Sequence, residues 1–205
     1  MTKRINLALQ GGGAHGAFTW GVLDRILEDD QIEIAGISGT SAGALNGAAL
    51  KAGLIDGGAA AARASLDRLW ADIGELTDFR MAAWVQHLLP GVQAWAQIAQ
   101  SMAPVSVQGL AAQIYSPYAW GPAWQNPLEP IVRRLDFTKV CDTTGPRLIV
   151  SATNVETGRI RLFKGDEIGP EALMASACLP SVFQTVEIDG APYWDGGYSG
   201  NPALF

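Results

Sequence analysis

The stretch Glu33-Ile34-Ala35-Gly36-Ile37-Ser38-Gly39-Thr40-Ser41-Ala42-Gly43 decides the fold. Residues 33–38 read as a strand, and residues 42–53 read as a helix rich in Ala and Gly, of the small-residue kind that packs closely on a sheet. Between them, Gly39-x-Ser41-x-Gly43 permits a tight strand-to-helix turn, because neither glycine carries a Cβ into the crossing. Ser41 then stands at the carboxyl end of a strand and the N-terminus of a helix, where the helix dipole favours negative charge on or near its oxygen. That is the setting of a nucleophile. The pentapeptide alone is weakly specific, and the competing reading has Ser38, Thr40 or Ser41 capping the helix at 42. The strand before and the helix after favour the nucleophile.

Upstream, residues 4–10 alternate, are rich in Ile and Leu, and read as a first strand. They run into Gly11-Gly12-Gly13-Ala14-His15-Gly16, after which Val22, Leu23, Ile26 and Leu27 share one face of a helix over 16–28. Two successive strand-turn-helix units are the start of a parallel α/β sheet. The glycine loop can cradle developing negative charge on its backbone N–H groups. Gly11, Gly13 and Gly16 also fit the dinucleotide fingerprint, which requires an acidic residue at the end of the second strand. That strand ends in Ile37-Ser38-Gly39, while Asp29, Asp30 and Glu33 fall before or at its start. The oxyanion reading is therefore favoured, with a dinucleotide- or nucleotide-binding protein, or a non-catalytic lipid-binding protein, as the alternatives.

Downstream, residues 58–74 form a strong helix pattern with Leu66, Leu69, Trp70 and Ile73. Between 78 and 125 charges nearly vanish, and Trp84, Trp95, Trp120 and Trp124 appear with Met81, Met102, Pro90, Pro104, Pro117 and Pro122. This reads as short amphipathic helices broken by prolines. Its roles stay open between a lid or interfacial insertion and ordinary core under a loop-rich insertion. Strands return at 147–154 and 159–164, a helix covers 170–178 and ends at Pro180, and strands at 184–188 and 191–194 flank Asp189-Gly190 as a hairpin.

With 205 residues, 48% hydrophobic and 17% charged, the chain reads as one soluble globular domain. A net charge of −6 and a pI near 4.8 argue against a nucleic-acid partner. No window is long and apolar enough for a membrane span, and nothing resembles a secretory signal. Cys141 and Cys178 lack metal-ligand spacing and read as reduced thiols, so the expected location is cytoplasmic. No metal or cofactor is expected.

A Ser41 nucleophile needs a proton acceptor. A hydrolase triad runs Ser, acid, His, and the only two histidines are His15, inside the glycine loop, and His87, in the Trp-rich segment. Neither satisfies that order. The remaining candidate is Asp195 in Tyr193-Trp194-Asp195-Gly196-Gly197-Tyr198. A semi-buried carboxylate can have a raised pKa and accept a proton. A plain Asp-Gly turn fits the local sequence equally well.

Gly-Gly-Gly-x-x-Gly (Gly11 to Gly16), Gly-x-Ser-x-Gly (Gly39 to Gly43) and Asp-Gly-Gly (Asp195 to Gly197), in this order, resemble the patatin-like phospholipase family. So do the run Ala175-Ser176-Ala177-Cys178-Leu179-Pro180-Ser181-Val182-Phe183 and Gly200-Asn201-Pro202 after the aspartate. The resemblance spans about residues 5 to 203 and is weakest between 75 and 130. It implies a three-layer α/β/α fold around a mainly parallel sheet, and lipid acyl hydrolysis by a Ser–Asp dyad without a catalytic histidine, calcium or other cofactor. By motif, Ser41 is then the nucleophile, Asp195 the general base, and the amides of Gly12 and Gly13, with Gly11, the oxyanion hole. Gly16, Gly39, Gly43, Gly196 and Gly197 support these turns. The implied partner is a lipid or other acyl ester, with transient contact at a lipid surface. Similar chains continue well past the aspartate motif, whereas this one stops at Phe205, so residues 1–205 are expected to be a C-terminally incomplete domain.

Overall fold

The computed structural model describes residues 2–81, 117, 118, 121, 124–180 and 182–204. Trp84, Trp95, Trp120, His87 and most of the expected 78–125 insertion lie outside the described residues. The elements are β1 (Lys3–Leu9), α1 (Gly16–Ile26), β2 (Ile32–Thr40), α2 (Ala42–Met81), α3 (Glu129–Val132), α4 (Phe137–Val140), β3 (Arg147–Asn154), β4 (Ile160–Lys164), α5 (Pro170–Ser176), β5 (Val186–Ile188) and β6 (Ala191–Asp195). The run α2 is two helices: Gly57 and Gly58 leave helical geometry, with φ of −165° and 69°, near the expected division between 53 and 58.

The six strands form one sheet in the order β1-β2-β3-β6-β5, with β4 pairing β3. β1, β2 and β3 are parallel, whereas β4 and β6 run antiparallel to β3 and β5 antiparallel to β6. Reversing twice returns β5 to the direction of β3, so four of the six strands point one way. The sheet is mixed, mostly parallel in direction and flanked by helices, as its sequence implies. The β5–β6 hairpin turns at Asp189 and Gly190, both at positive φ (52° and 76°), which matches the right-handed twist of a two-residue hairpin.

Side chains alternate across a strand, and here the two faces differ in chemistry. Leu9, Ile37, Leu148, Val150 and Ala152 pack with α2 residues Ala44, Leu45 and Ala48 and with Ala172 and Leu173 of α5, all buried in one core. Gly47 of α2 lets the helix sit directly on Ile37 and Leu148, whose atoms come within 3.0 Å of its missing Cβ position. The other face carries Ser38, Thr40, Ser151 and Thr153; the hydroxyls of Ser38, Thr40 and Thr153 bind the chain after β6, and that of Ser151 bonds Thr40. Among the described residues no helix is long and apolar enough to cross a membrane.

Candidate active site

The register of β3 explains how residues 154 positions apart meet. β2 pairs with Gly36↔Arg147 through Thr40↔Ser151, and β6 pairs with Ala152↔Asp195 through Asn154↔Tyr193. β4 pairs residues 149–153 of β3 across the opposite edge, so β2 and β6 occupy the same edge. They run toward each other along it. β2 ends opposite Ser151 and β6 ends opposite Ala152, the next residue, which brings Ser41 and Asp195 together.

Ser41 adopts φ 55°, a left-handed conformation that non-glycine residues seldom take and that costs of order 1–3 kcal/mol. Its carbonyl accepts the first helical bonds of α2, from Ala44 N–H (2.9 Å) and Leu45 N–H (3.1 Å). Its own N–H donates to the buried Ser176 Oγ at 2.9 Å. The side-chain cap read as an alternative is not what the Ser38 and Thr40 hydroxyls do: Ser38 donates to Ala203 O and Thr40 to Gly200 O, while the Ser41 hydroxyl lies close enough to the Asp195 carboxyl to lower its pKa. The turn closes because a Cβ at Gly43 would lie 2.1 Å from Leu9 O, so any side chain there would drive α2 off β1. Gly39 lies against the Gly43 carbonyl and Ala44.

Asp195 is buried, with 4% of its surface exposed. Burial raises its pKa above the usual carboxylate value, and the Ser41 hydroxyl and the Gly197 N–H partly oppose that rise. Its Oδ1 accepts Gly197 N–H at 2.7 Å. The Asp-Gly turn and the contact with Ser41 thus coexist in one side chain. Its backbone is fixed at both ends, with N–H donating to Cys178 O (2.8 Å) and its carbonyl accepting from Thr153 Oγ1 (2.9 Å). Gly196 packs against the Ser151 carbonyl.

The glycine loop lies over Ser41. A Cβ on Gly11 would fall 2.8 Å from Ser41 Cβ and 3.1 Å from Thr40 O. The three expected oxyanion amides differ in their partners. The Gly11 N–H already donates to Asn201 Oδ1 at 2.6 Å and is not free to bind an anion. Among the described residues the N–H groups of Gly12 and Gly13 have no acceptor. Gly12 has φ 156° and Gly13 φ 57° as the loop enters the short 3-10 turn Gly13–His15. His15 turns back on its own loop, its Nδ1 3.0 Å from Gly12 O. Gly16 abuts Ala42 and the Trp70 ring, and buried Asn46 ties the corner by donating to Gly16 O (3.0 Å) while accepting from Trp70 Nε1 (2.8 Å).

Ser176, Asn46 and Asn201 were not singled out as site residues from sequence. Their partners lie 135, 30 and 190 residues away, so no local pattern marks them. Among the described residues no group of three His, Cys, Asp or Glu side chains has the proximity to hold a metal ion.

A serine at left-handed φ on a strand-helix turn, a buried carboxylate and, among the described residues, two loop amides without acceptors lie together at one edge of a mostly parallel α/β sheet. The chain belongs to the patatin-like phospholipase family, whose family model matches residues 7–204. No curated protein matches it. Among solved structures it is similar to VipD from Legionella pneumophila, at 16% identity and a TM-score of 0.52, covering 100% of this chain and 47% of that one. The likeness is one of fold, and this chain spans about half the length of that protein.

Proposed function

We propose that the protein hydrolyses carboxylic ester bonds of lipids through a Ser41–Asp195 dyad and an acyl-enzyme. The observation that carries this reading is the meeting of Ser41, held at left-handed φ just beyond β2, with the buried Asp195 that ends β6, the Ser41 hydroxyl lying close enough to oppose the rise that burial gives the Asp195 pKa. Ser41 Oγ attacks the ester carbonyl as its proton passes to the Asp195 carboxylate. The negative charge on the former carbonyl oxygen is taken by the Gly12 and Gly13 amides, each such donor being worth about 3 kcal/mol. The tetrahedral intermediate collapses, the alcohol leaves with the proton from Asp195, and the acyl group stays on Ser41. Water then attacks the acyl carbon and gives its proton to Asp195. Collapse releases the fatty acid, and the proton returns to Ser41 Oγ.

Family membership supports lipid acyl esters as the substrate class. We further propose cytoplasmic location with transient contact at a lipid surface, which co-sedimentation with liposomes tests. The dinucleotide alternative loses support because β2 ends in Thr40, hydrogen-bonded to Ser151, where a ribose-binding acid would stand. The deciding experiment treats the protein with a fluorophosphonate probe and maps the adduct, alongside hydrolysis of a p-nitrophenyl ester series. Labelling confined to Ser41, with ester hydrolysis lost in Ser41→Ala, is expected. Full activity in that variant, or labelling elsewhere, sinks the proposal.

A further inference from the structure

The segment after Asp195 does more than end the hairpin. From Gly196 to Ala203 it lies along the hydroxyl face of β2 and β3, and three side chains fasten it there. Thr153 Oγ1 donates to Asp195 O (2.9 Å) and meets Ser199 Oγ (2.7 Å). Thr40 Oγ1 donates to Gly200 O (3.1 Å), and Ser38 Oγ donates to Ala203 O (2.6 Å). A hydroxyl has one proton, so Thr40, donating to Gly200, accepts from Ser151 across their 2.5 Å contact. Gly196 O also accepts from Ser199 N–H (3.1 Å) and Gly200 N–H (2.9 Å), tightening the segment's start.

The side chain held out by this fastening is Asn201. Its Oδ1 accepts the Gly11 N–H at 2.6 Å, at the point where the glycine loop passes 2.8 Å from Ser41 Cβ when measured from a Cβ built on Gly11. Gly11 immediately precedes the two amides left free to bind an anion. The loop has three consecutive glycines, no side chain to pack and no buried residue in its 3-10 turn. Packing on Ser41 and Thr40 sets where Gly11 lies, and among the described residues the Asn201 bond is the hydrogen bond that fixes the direction of its N–H. Loop amides stabilise an oxyanion only when they are already aimed at it.

We propose that Asn201 is a positioning residue: it braces the oxyanion loop through Gly11, so one strap carries both the Asp195 base and the support for the anion cradle. This rests on the ester-hydrolase reading above for its catalytic meaning. The brace itself is a physical contact that can be measured without turnover.

The test compares Asn201→Ala and Asn201→Asp with the wild type, in p-nitrophenyl butyrate kinetics and in amide exchange of Gly11 by NMR. Urea unfolding confirms that each variant folds. Asn201→Ala is expected to lower kcat by about tenfold to a hundredfold, below the roughly 10²–10³ lost with a whole oxyanion donor. KM should stay within about twofold, because the loss falls on the transition state. Gly11 exchange should quicken at least about tenfold once its acceptor is gone. Asn201→Asp keeps an isosteric acceptor, so Gly11 should remain protected. The proposal is overturned by a kcat within about twofold of wild type in Asn201→Ala, by a loss confined to KM, by unchanged Gly11 exchange, or by loss of protection in Asn201→Asp. If the wild type neither turns over ester nor takes the fluorophosphonate at Ser41, the hydrolase reading fails, and Gly11 exchange alone still decides whether Asn201 holds the loop.

Discussion

Replacing Ser41 by glycine should leave a more stable protein than replacing it by alanine, although both remove the nucleophile. Ser41 holds φ 55° in a turn whose neighbours fix it from both sides, through Ser176 Oγ and the first amides of α2. Either substitution deletes the hydroxyl that lies near Asp195, so that loss cancels between them. What differs is the backbone. An L-residue with a Cβ costs about 1–2 kcal/mol in the left-handed region. Glycine escapes this, at a cost of about 0.5–1 kcal/mol in unfolded-chain entropy. The net expectation is a gain of about 0.5–1 kcal/mol for glycine over alanine, or about 2–3 °C in Tm for a domain of this length. At an ordinary φ the sign would be reversed, because glycine would then only add entropy to the unfolded chain. Paired urea denaturation of the two variants, with circular dichroism to confirm the fold, reads the difference. Ser41→Ala equal to or more stable than Ser41→Gly would refute the claim that this turn stores strain.

Asp195→Asn should abolish ester hydrolysis and stabilise the fold at neutral pH. Burial raises the folded pKa of Asp195, so over that window the folded state binds more protons than the unfolded state and stability falls as pH rises. An uncharged amide removes this slope, so its advantage in urea midpoint should shrink toward acid pH; an equal gain at every pH would contradict it. For the same reason wild-type activity should rise with pH through the ionisation of Asp195. Gly11→Ala should cost activity, since its Cβ would fall 2.8 Å from Ser41 Cβ, and a steady-state kcat within about twofold of wild type would rule the close approach out. Lys51→Met should stabilise the fold, because Lys51 is 4% exposed and burial lowers its pKa. The unfolded chain then binds the extra proton, wild-type stability climbs as pH approaches the ordinary lysine value, and the methionine variant should lose that climb in urea titrations at alkaline pH.

The parts of the fold legible in the sequence were those with a period. β1, α1, β2 and the two halves of α2 follow from alternation and helical spacing, and the Asp189-Gly190 hairpin from turn chemistry. Helices α3 and α4 have four residues each, too short to show any period, and were not read. The helix expected over 170–178 stops at Ser176, because Cys178 O is turned to accept Asp195 N–H. The strand expected from 184 begins at Val186, since Gln184 reaches Pro117 O and Gly121 O and Thr185 N–H bonds Tyr118 Oη. In the site, Ser41 was marked by the glycines that flank it. Asp195 was left even with a simple turn, because its distinguishing property, burial beside Ser41, is created by pairing with β3. Gly11 looked like a third donor because sequence shows an N–H but not the side chain, 190 residues away, that uses it.

The same topology suits the proposed role of Asp195 as a base in place of a histidine. A carboxylate in water is too weak a base at neutral pH to draw a proton from serine efficiently, and the remedy is to raise its pKa by desolvation. Desolvation is costly unless the chain holding the carboxylate is rigid and the ionised form keeps a few donors. β3 supplies the rigidity. It pairs β2 and β6 end to end along one edge, so Ser41 is the next residue beyond β2 and Asp195 the last paired residue of β6, rather than parts of loops. Gly197 N–H is one such donor, and the nearby Ser41 hydroxyl also favours the ionised form. Opposed strands also leave the carboxylate nowhere to relax: its backbone N–H and carbonyl are both fixed, by Cys178 and Thr153. The base is therefore tuned by where the strand ends, and shifting the β3–β6 register by one residue would turn its side chain to the opposite face and leave Ser41 without a partner.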